Sequence, residues 1–219
     1  YTLIFFLMVL LLSCRPKPGT LRIFFLELPI NDIIILGDYI WGVDTVSNNL
    51  VKIDIETGEI LFKTIILEKY PRCISYHDGV FWVGCDTGRI ALINELGGYI
   101  KSVEIQGYDP ETLNLSGITW VQDRLFVMNG NYILELDPDT MNIKNKMEMP
   151  IRIYGAMSTD GNDLFIVNSI GIVIMVNADW GYVTGERKLK ISGLPYGIAR
   201  TDDFFYITVP SKKEIHVIR

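Results

Sequence analysis

An aromatic residue returns along this chain at nearly constant spacing, and that return constrains the fold more than any other feature. Trp41, Trp82, Phe126, Phe165 and Tyr206 are separated by 41, 44, 39 and 41 residues. Eight positions before each aromatic anchor stands Ile33, Ile74, Ile118, Met157 or Ile198, and one position before it stands Ile40, Phe81, Leu125, Leu164 or Phe205. Three aligned apolar columns in five copies mark a repeat architecture whose units bury their faces against one another.

Each unit divides into short strands joined by turn residues. A first strand runs into a polar turn: Gly37-Asp38, Asp78-Gly79, Gln122-Asp123, Gly161-Asn162 and Asp202-Asp203. Asp, Asn and Gly suit such turns because they tolerate positive φ. The second strand carries the anchor and is apolar on both faces, the pattern of a strand covered from both sides. Third strands are expected at Leu50–Asp54, Arg89–Asn94, Tyr132–Asp137, Ile172–Asn177 and Glu214–Arg219. Fourth strands are expected at Ile60–Leu67, Tyr99–Ile105, Ile143–Met149 and Arg187–Ile191. The last unit has no fourth strand of its own, but Thr20–Leu28, ending in Pro29, resembles the others. An amino-terminal strand that completes the last blade closes a ring and leaves no open sheet edge between its ends. The expected fold is therefore all-β: a five-bladed β-propeller of four-stranded antiparallel blades over residues 20–219, closed by residues 20–29.

The first thirteen residues are uncharged and almost wholly apolar, too short a run to cross a bilayer comfortably but of the length of a secretory h-region. Leu11-Leu12-Ser13-Cys14 resembles the bacterial lipobox, which implies acylation of Cys14. Residues 1–13 are thus expected to be a lipoprotein signal peptide and residues 14–19, rich in proline, a tether. The domain is expected to be exported, held to a membrane by its lipid alone, and monomeric. Arg15 and Lys17 are the only charges before residue 20, so residues 20–219 carry 18 basic and 26 acidic side chains, a net −8. That balance argues against nucleic acid as a partner. Two histidines and three cysteines leave little material for a zinc site, and no cofactor motif is present.

The starts Ser116-Gly117-Ile118 and Tyr196-Gly197-Ile198 and the unit Leu134-Glu135-Leu136-Asp137-Pro138 resemble the bacterial repeat propellers of the pyrroloquinoline-quinone-like, NHL-like and YVTN-like type. The resemblance implies a fold rather than a chemistry. Glutaminyl cyclases of the plant and bacterial type are similar in size and blade number, but their acidic and Gln-Gly signatures are missing, so no catalytic residue is carried over.

In such a ring the first strand of each blade lines the central channel. Asn31, Arg72, Ser116, Gly155 and Tyr196 lie ten residues before their anchors, with Asp32, Cys73 and Tyr154 beside them. Together they form a mixed ring at one channel mouth. It can bind a small polar or anionic ligand, with Arg72 as the bidentate partner, or its members can bond one another. The anchors themselves are expected to be packing between blades rather than a carbohydrate platform. Trp120 is expected in the core, and Trp180, in a turn, over a neighbouring turn. Cys73 and Cys85 flank one hairpin, where a disulfide and two buried thiols are both open. Asp137-Pro138-Asp139 is expected to be a solvated turn rather than a calcium loop. The function expected is a ligand-binding or protein-binding scaffold of the cell envelope. The alternative is a glutaminyl-cyclase-like or lyase-like enzyme with its site at the channel mouth.

Overall fold

A computed structural model describes residues 20–109, 112–149 and 155–219. Cys14, the signal segment, the tether and Tyr154 lie outside the described residues. The alternating and doubly apolar segments form twenty strands in five four-stranded antiparallel sheets. Blade 1 contains β2 (Ile30–Leu36), β3 (Tyr39–Asp44), β4 (Asn49–Asp54) and β5 (Ile60–Ile65). Blade 2 contains β6 (Pro71–His77), β7 (Val80–Cys85), β8 (Arg89–Asn94) and β9 (Tyr99–Glu104). Blade 3 contains β10 (Leu115–Val121), β11 (Arg124–Asn129), β12 (Tyr132–Leu136) and β13 (Ile143–Glu148). Blade 4 contains β14 (Met157–Thr159), β15 (Asp163–Val167), β16 (Ile172–Asn177) and β17 (Val183–Lys188). Blade 5 contains β18 (Ile198–Arg200), β19 (Phe205–Val209) and β20 (Glu214–Ile218), with β1 (Thr20–Phe25) as its outer strand.

β1 pairs antiparallel with β20, Arg22 opposite Val217 and Phe24 opposite Ile215, so the two ends of the chain share one sheet. The inner strands contact one another around a closed circuit, β2 to β6, β10, β14, β18 and back to β2. β17 departs from the sequence reading: it begins at Val183, not Arg187. Gly185 disguised it, because glycine reads as a breaker. The Met175 methyl of the adjacent strand packs onto this glycine, 2.5 Å from where a Cβ would stand.

Five apolar clusters fill the spaces between consecutive blades, and each contains one repeat anchor. Trp41 packs between blades 1 and 2, Phe126 between 3 and 4, Phe165 between 4 and 5, and Tyr206 between 5 and 1; all four are buried. Trp82, between blades 2 and 3, is only partly buried. The polar ends of the third strands cap the following turns. The carboxyl oxygen of Asp54 accepts the N–H groups of Glu56 and Thr57, and that of Asp137 accepts those of Asp139 and Thr140. These acidic side chains are thus used by their own turns.

Candidate functional site

The first strands of blades 1 to 3 each carry a β-bulge at the same place. The register slips between Ile30 and Asp32, between Pro71 and Cys73, and between Leu115 and Gly117. The extra residues are Asn31, Arg72 and Ser116, three members of the ring read from the repeat. A bulge leaves one residue out of the ladder and re-aims its side chain.

Several of the polar groups of that ring are bonded between blades, whereas the Arg72 Nε and the Ser116 hydroxyl are buried without a partner among the described residues. Asp32 is completely buried and links three blades: the Ile74 N–H of blade 2 donates to Oδ2 at 3.0 Å, and the Ile198 N–H of blade 5 donates to Oδ1 at 3.3 Å. Burial raises the Asp32 pKa well above the ordinary carboxylate range, against the pull of N–H donors from Ile74, Ile33 and Ile198. Arg72 donates from Nη2 to Asp86 at 2.6 Å and from Nη1 to the Tyr196 hydroxyl at 3.2 Å, spanning from blade 2 to blade 5. Burial opposes the Arg72 charge, but the bonds to Asp86 and Tyr196 more than offset it and raise the pKa. Burial likewise raises the Tyr196 phenol. Asn31 contributes its backbone carbonyl, which accepts the Thr208 hydroxyl at 2.6 Å. The Ser116 hydroxyl is buried and has no partner among the described residues. Gly155 is held by space: a Cβ there would lie 1.6 Å from the Val167 carbonyl oxygen.

Cys73 and Cys85 are separate buried thiols. The bulge at Arg72 sets Cys73 opposite Gly84 and Cys85 opposite Pro71. Cys73 therefore joins the cluster between blades 2 and 3, while Cys85 joins the cluster between blades 1 and 2, on the other face of the sheet. The side-chain alternation of a strand makes the open disulfide reading fail. Burial raises both thiols, Cys85 to about 12, so neither is an activated nucleophile. Among the described residues no three His, Cys, Asp or Glu side chains gather as a metal ligand set.

Beyond Asp32 the channel continues as a cavity of about 160 Å³, reached by one or more residues of every inner strand, among them Ile34, Ser75, Thr119, Ser158 and Arg200. Arg200 is paired with Asp160 at 2.9 Å. The same end of the molecule, where first strands turn into second strands, carries two larger grooves between blades. One, of about 340 Å³, lies between blades 1 and 2 around Trp41. The other, of about 490 Å³, lies between blades 2 and 3 around Trp82 and Trp120. Trp120 is buried as expected, yet it forms a wall of this groove: His77 stacks on it at 3.9 Å and Trp82 meets it edge-on at 5.2 Å. The columns shared by all five repeats do not reveal these grooves. Their signal was the variation inside an aligned column, Lys52 against Leu92 and Tyr39 against Val80. Trp180 does not pack over a neighbouring turn; it is 78% exposed.

No protein-family model matches the sequence, and no curated protein matches it. Solved structures resemble it in shape. A glutaminyl cyclase from Myxococcus xanthus superposes with a TM-score of 0.79 at 9% identity, over 92% of this chain and 95% of that one. A virginiamycin B lyase from Staphylococcus aureus gives a TM-score of 0.55 at 20% identity, over 85% of this chain and 64% of the lyase. A streptogramin B lyase gives 0.54 at 17%, over 86% and 65%. At these identities the likeness is one of fold.

Proposed function

We propose that this protein is a binding module of the cell envelope, exported and tethered through a lipid on Cys14, with a protein or a small polar ligand as its partner. One observation carries the reading: the titratable groups at the channel mouth are committed to holding the ring. Asp32 takes N–H donors from two neighbouring blades and Arg72 is held between Asp86 and Tyr196. Groups bound in this way stiffen a platform, and a rigid platform suits recognition because little is lost in ordering it.

Native mass spectrometry of the protein purified from its own host tests the reading. Retained mass, whether ligand or protein, is the expected result; a bare monomer with nothing captured from envelope extracts overturns it. Retained mass that disappears in Arg72→Ala and Tyr196→Phe would place the working site at the mouth. Metabolic labelling with palmitate that is lost in Cys14→Ala tests the anchor.

A second reading is a cyclase-like enzyme, favoured by the near-complete mutual coverage with the Myxococcus xanthus glutaminyl cyclase. Cyclisation of peptides with amino-terminal glutamine, abolished by Asp32→Ala or Arg72→Ala, would replace the first reading with this one.

A further inference from the structure

The two grooves between blades 1 and 2 and between blades 2 and 3 are copies of one site with different contents. In the first, Trp41 faces Lys52 across the ladder, and the Lys52 ammonium lies 3.5 Å from the Tyr39 ring centre and 5.5 Å from that of Trp41. The chain thus places its own cation in this groove, which Glu95 also lines; the Glu95 carboxylate accepts the Tyr76 hydroxyl. In the second groove the same ladder position, opposite Trp82, is Leu92. Val80 stands where blade 1 has Tyr39; this groove measures about 490 Å³, and the first is made of two adjoining cavities of about 340 and 300 Å³ around Lys52. Asp139 stands in the turn where the first groove has Leu96, and Asp78 and Asp123 line the rim on either side of His77, at 3.5 and 3.9 Å from its Nε2.

The second groove therefore keeps the aromatic wall, gains carboxylates and loses the internal cation. Its floor, from Val80, Leu92 and Val103, is apolar. Lys101, the ladder neighbour of Leu92, lines it from the outer strand and is exposed; no cation–ring contact joins it to Trp82 or Trp120. Three carboxylates, two of them beside His77, and this one ammonium line the groove. The indole N–H of Trp120 is also buried without an acceptor among the described residues.

We propose that the groove between blades 2 and 3 binds an alkylammonium group, its apolar stem on Leu92 and Val103 and its charge on Trp82 and the acidic rim, in the place that Lys52 fills one blade earlier. An aromatic face and carboxylates around a partly dry groove are the chemistry that selects such a cation. The assignment rests on the reading of the domain as a binding module and names one site on it.

The test is titration of the purified protein with N-α-acetyl-lysine amide and with choline, read by tryptophan fluorescence and calorimetry, with N-acetyl-norleucine amide as the neutral control. Binding of either cation over the control is expected, and which of them binds separates a peptide lysine from a small quaternary amine as the source. Asp123→Asn with Asp139→Asn should weaken it roughly three- to tenfold. Both side chains are exposed, so folding is not at issue. Lys101→Gln should strengthen it, and Leu92→Lys, which installs the internal cation of blade 1, should abolish it. Equal binding of the neutral control, or weakening by Lys101→Gln, overturns the assignment. Host-derived mass that persists unchanged in Asp123→Asn/Asp139→Asn and in Leu92→Lys would also overturn it while leaving the binding-module reading intact.

Discussion

Replacing Asp32 by alanine tests whether the channel mouth holds the ring together. The carboxylate accepts N–H groups from Ile74 in blade 2 and Ile198 in blade 5, both on buried residues. Alanine leaves these two donors without an acceptor, and each such loss costs about 1–3 kcal/mol, so the variant should lose about 2–6 kcal/mol. For a domain of this size that corresponds to a fall in Tm of roughly 5–20 °C. Asp32→Asn keeps one acceptor oxygen but turns an amide N–H₂ toward the other donor, so it should lose about half as much. Chemical denaturation followed by tryptophan fluorescence gives both values, with circular dichroism to show that the native fold is retained. A loss below about 1 kcal/mol in Asp32→Ala would refute the reasoning, because it would mean that the two N–H groups find water or relax at little cost.

The remaining predictions concern the same inner ring and the faces between blades. Burial raises the Asp32 pKa, so its contribution to stability is full below the unfolded carboxylate value of about 3.9 and is lost as pH rises through the raised folded value. The stability difference between wild type and Asp32→Asn should therefore fall as pH rises above about 4; a flat difference would contradict it. Asp137 works in the other direction: the Thr140 N–H and Lys144 hold it at about 2, so its contribution is present above the unfolded value and fades as pH falls through 2. Gly197→Ala should destabilise by about 1–3 kcal/mol, since its Cβ would meet the Asn31 carbonyl oxygen at 2.4 Å and the Asp32 Cα at 2.7 Å; denaturation midpoints read this directly. Phe126→Ala should cost about 3–5 kcal/mol and Trp82→Ala clearly less, because Trp82 borders an open groove; equal losses would mean that the groove closes in solution. Alkylation of native, unreduced protein should spare Cys73 and Cys85, and both should react after unfolding without reductant. A disulfide-linked peptide from this pair would refute the register.

The blade count, the closing strand and the identity of the packing anchors were legible in the sequence because they are local and repeated. A strand covered on both faces reads as a continuous apolar run, a turn reads as Asp, Asn or Gly, and five aligned copies average out the noise of any one. The ten-before-anchor ring was legible for the same reason, although its physical basis, the bulge at Asn31, Arg72 and Ser116, was not. What tertiary structure decided depends on contacts between copies. Asp32 meets partners 42 and 166 residues away. The strand faces of Cys73 and Cys85 follow from a one-residue slip that reverses every side chain after it. β17 was hidden by Gly185, which pairs with Met175 of the adjacent strand. Above all, Trp41 and Trp82 are equivalent in the repeat, but the groove of one holds the Lys52 ammonium and the groove of the other has Leu92 at the same ladder position. A repeat specifies what its copies share, by periodicity along the chain. Where the copies differ, the consequence is set across the space between blades, and only the folded ring brings those residues together.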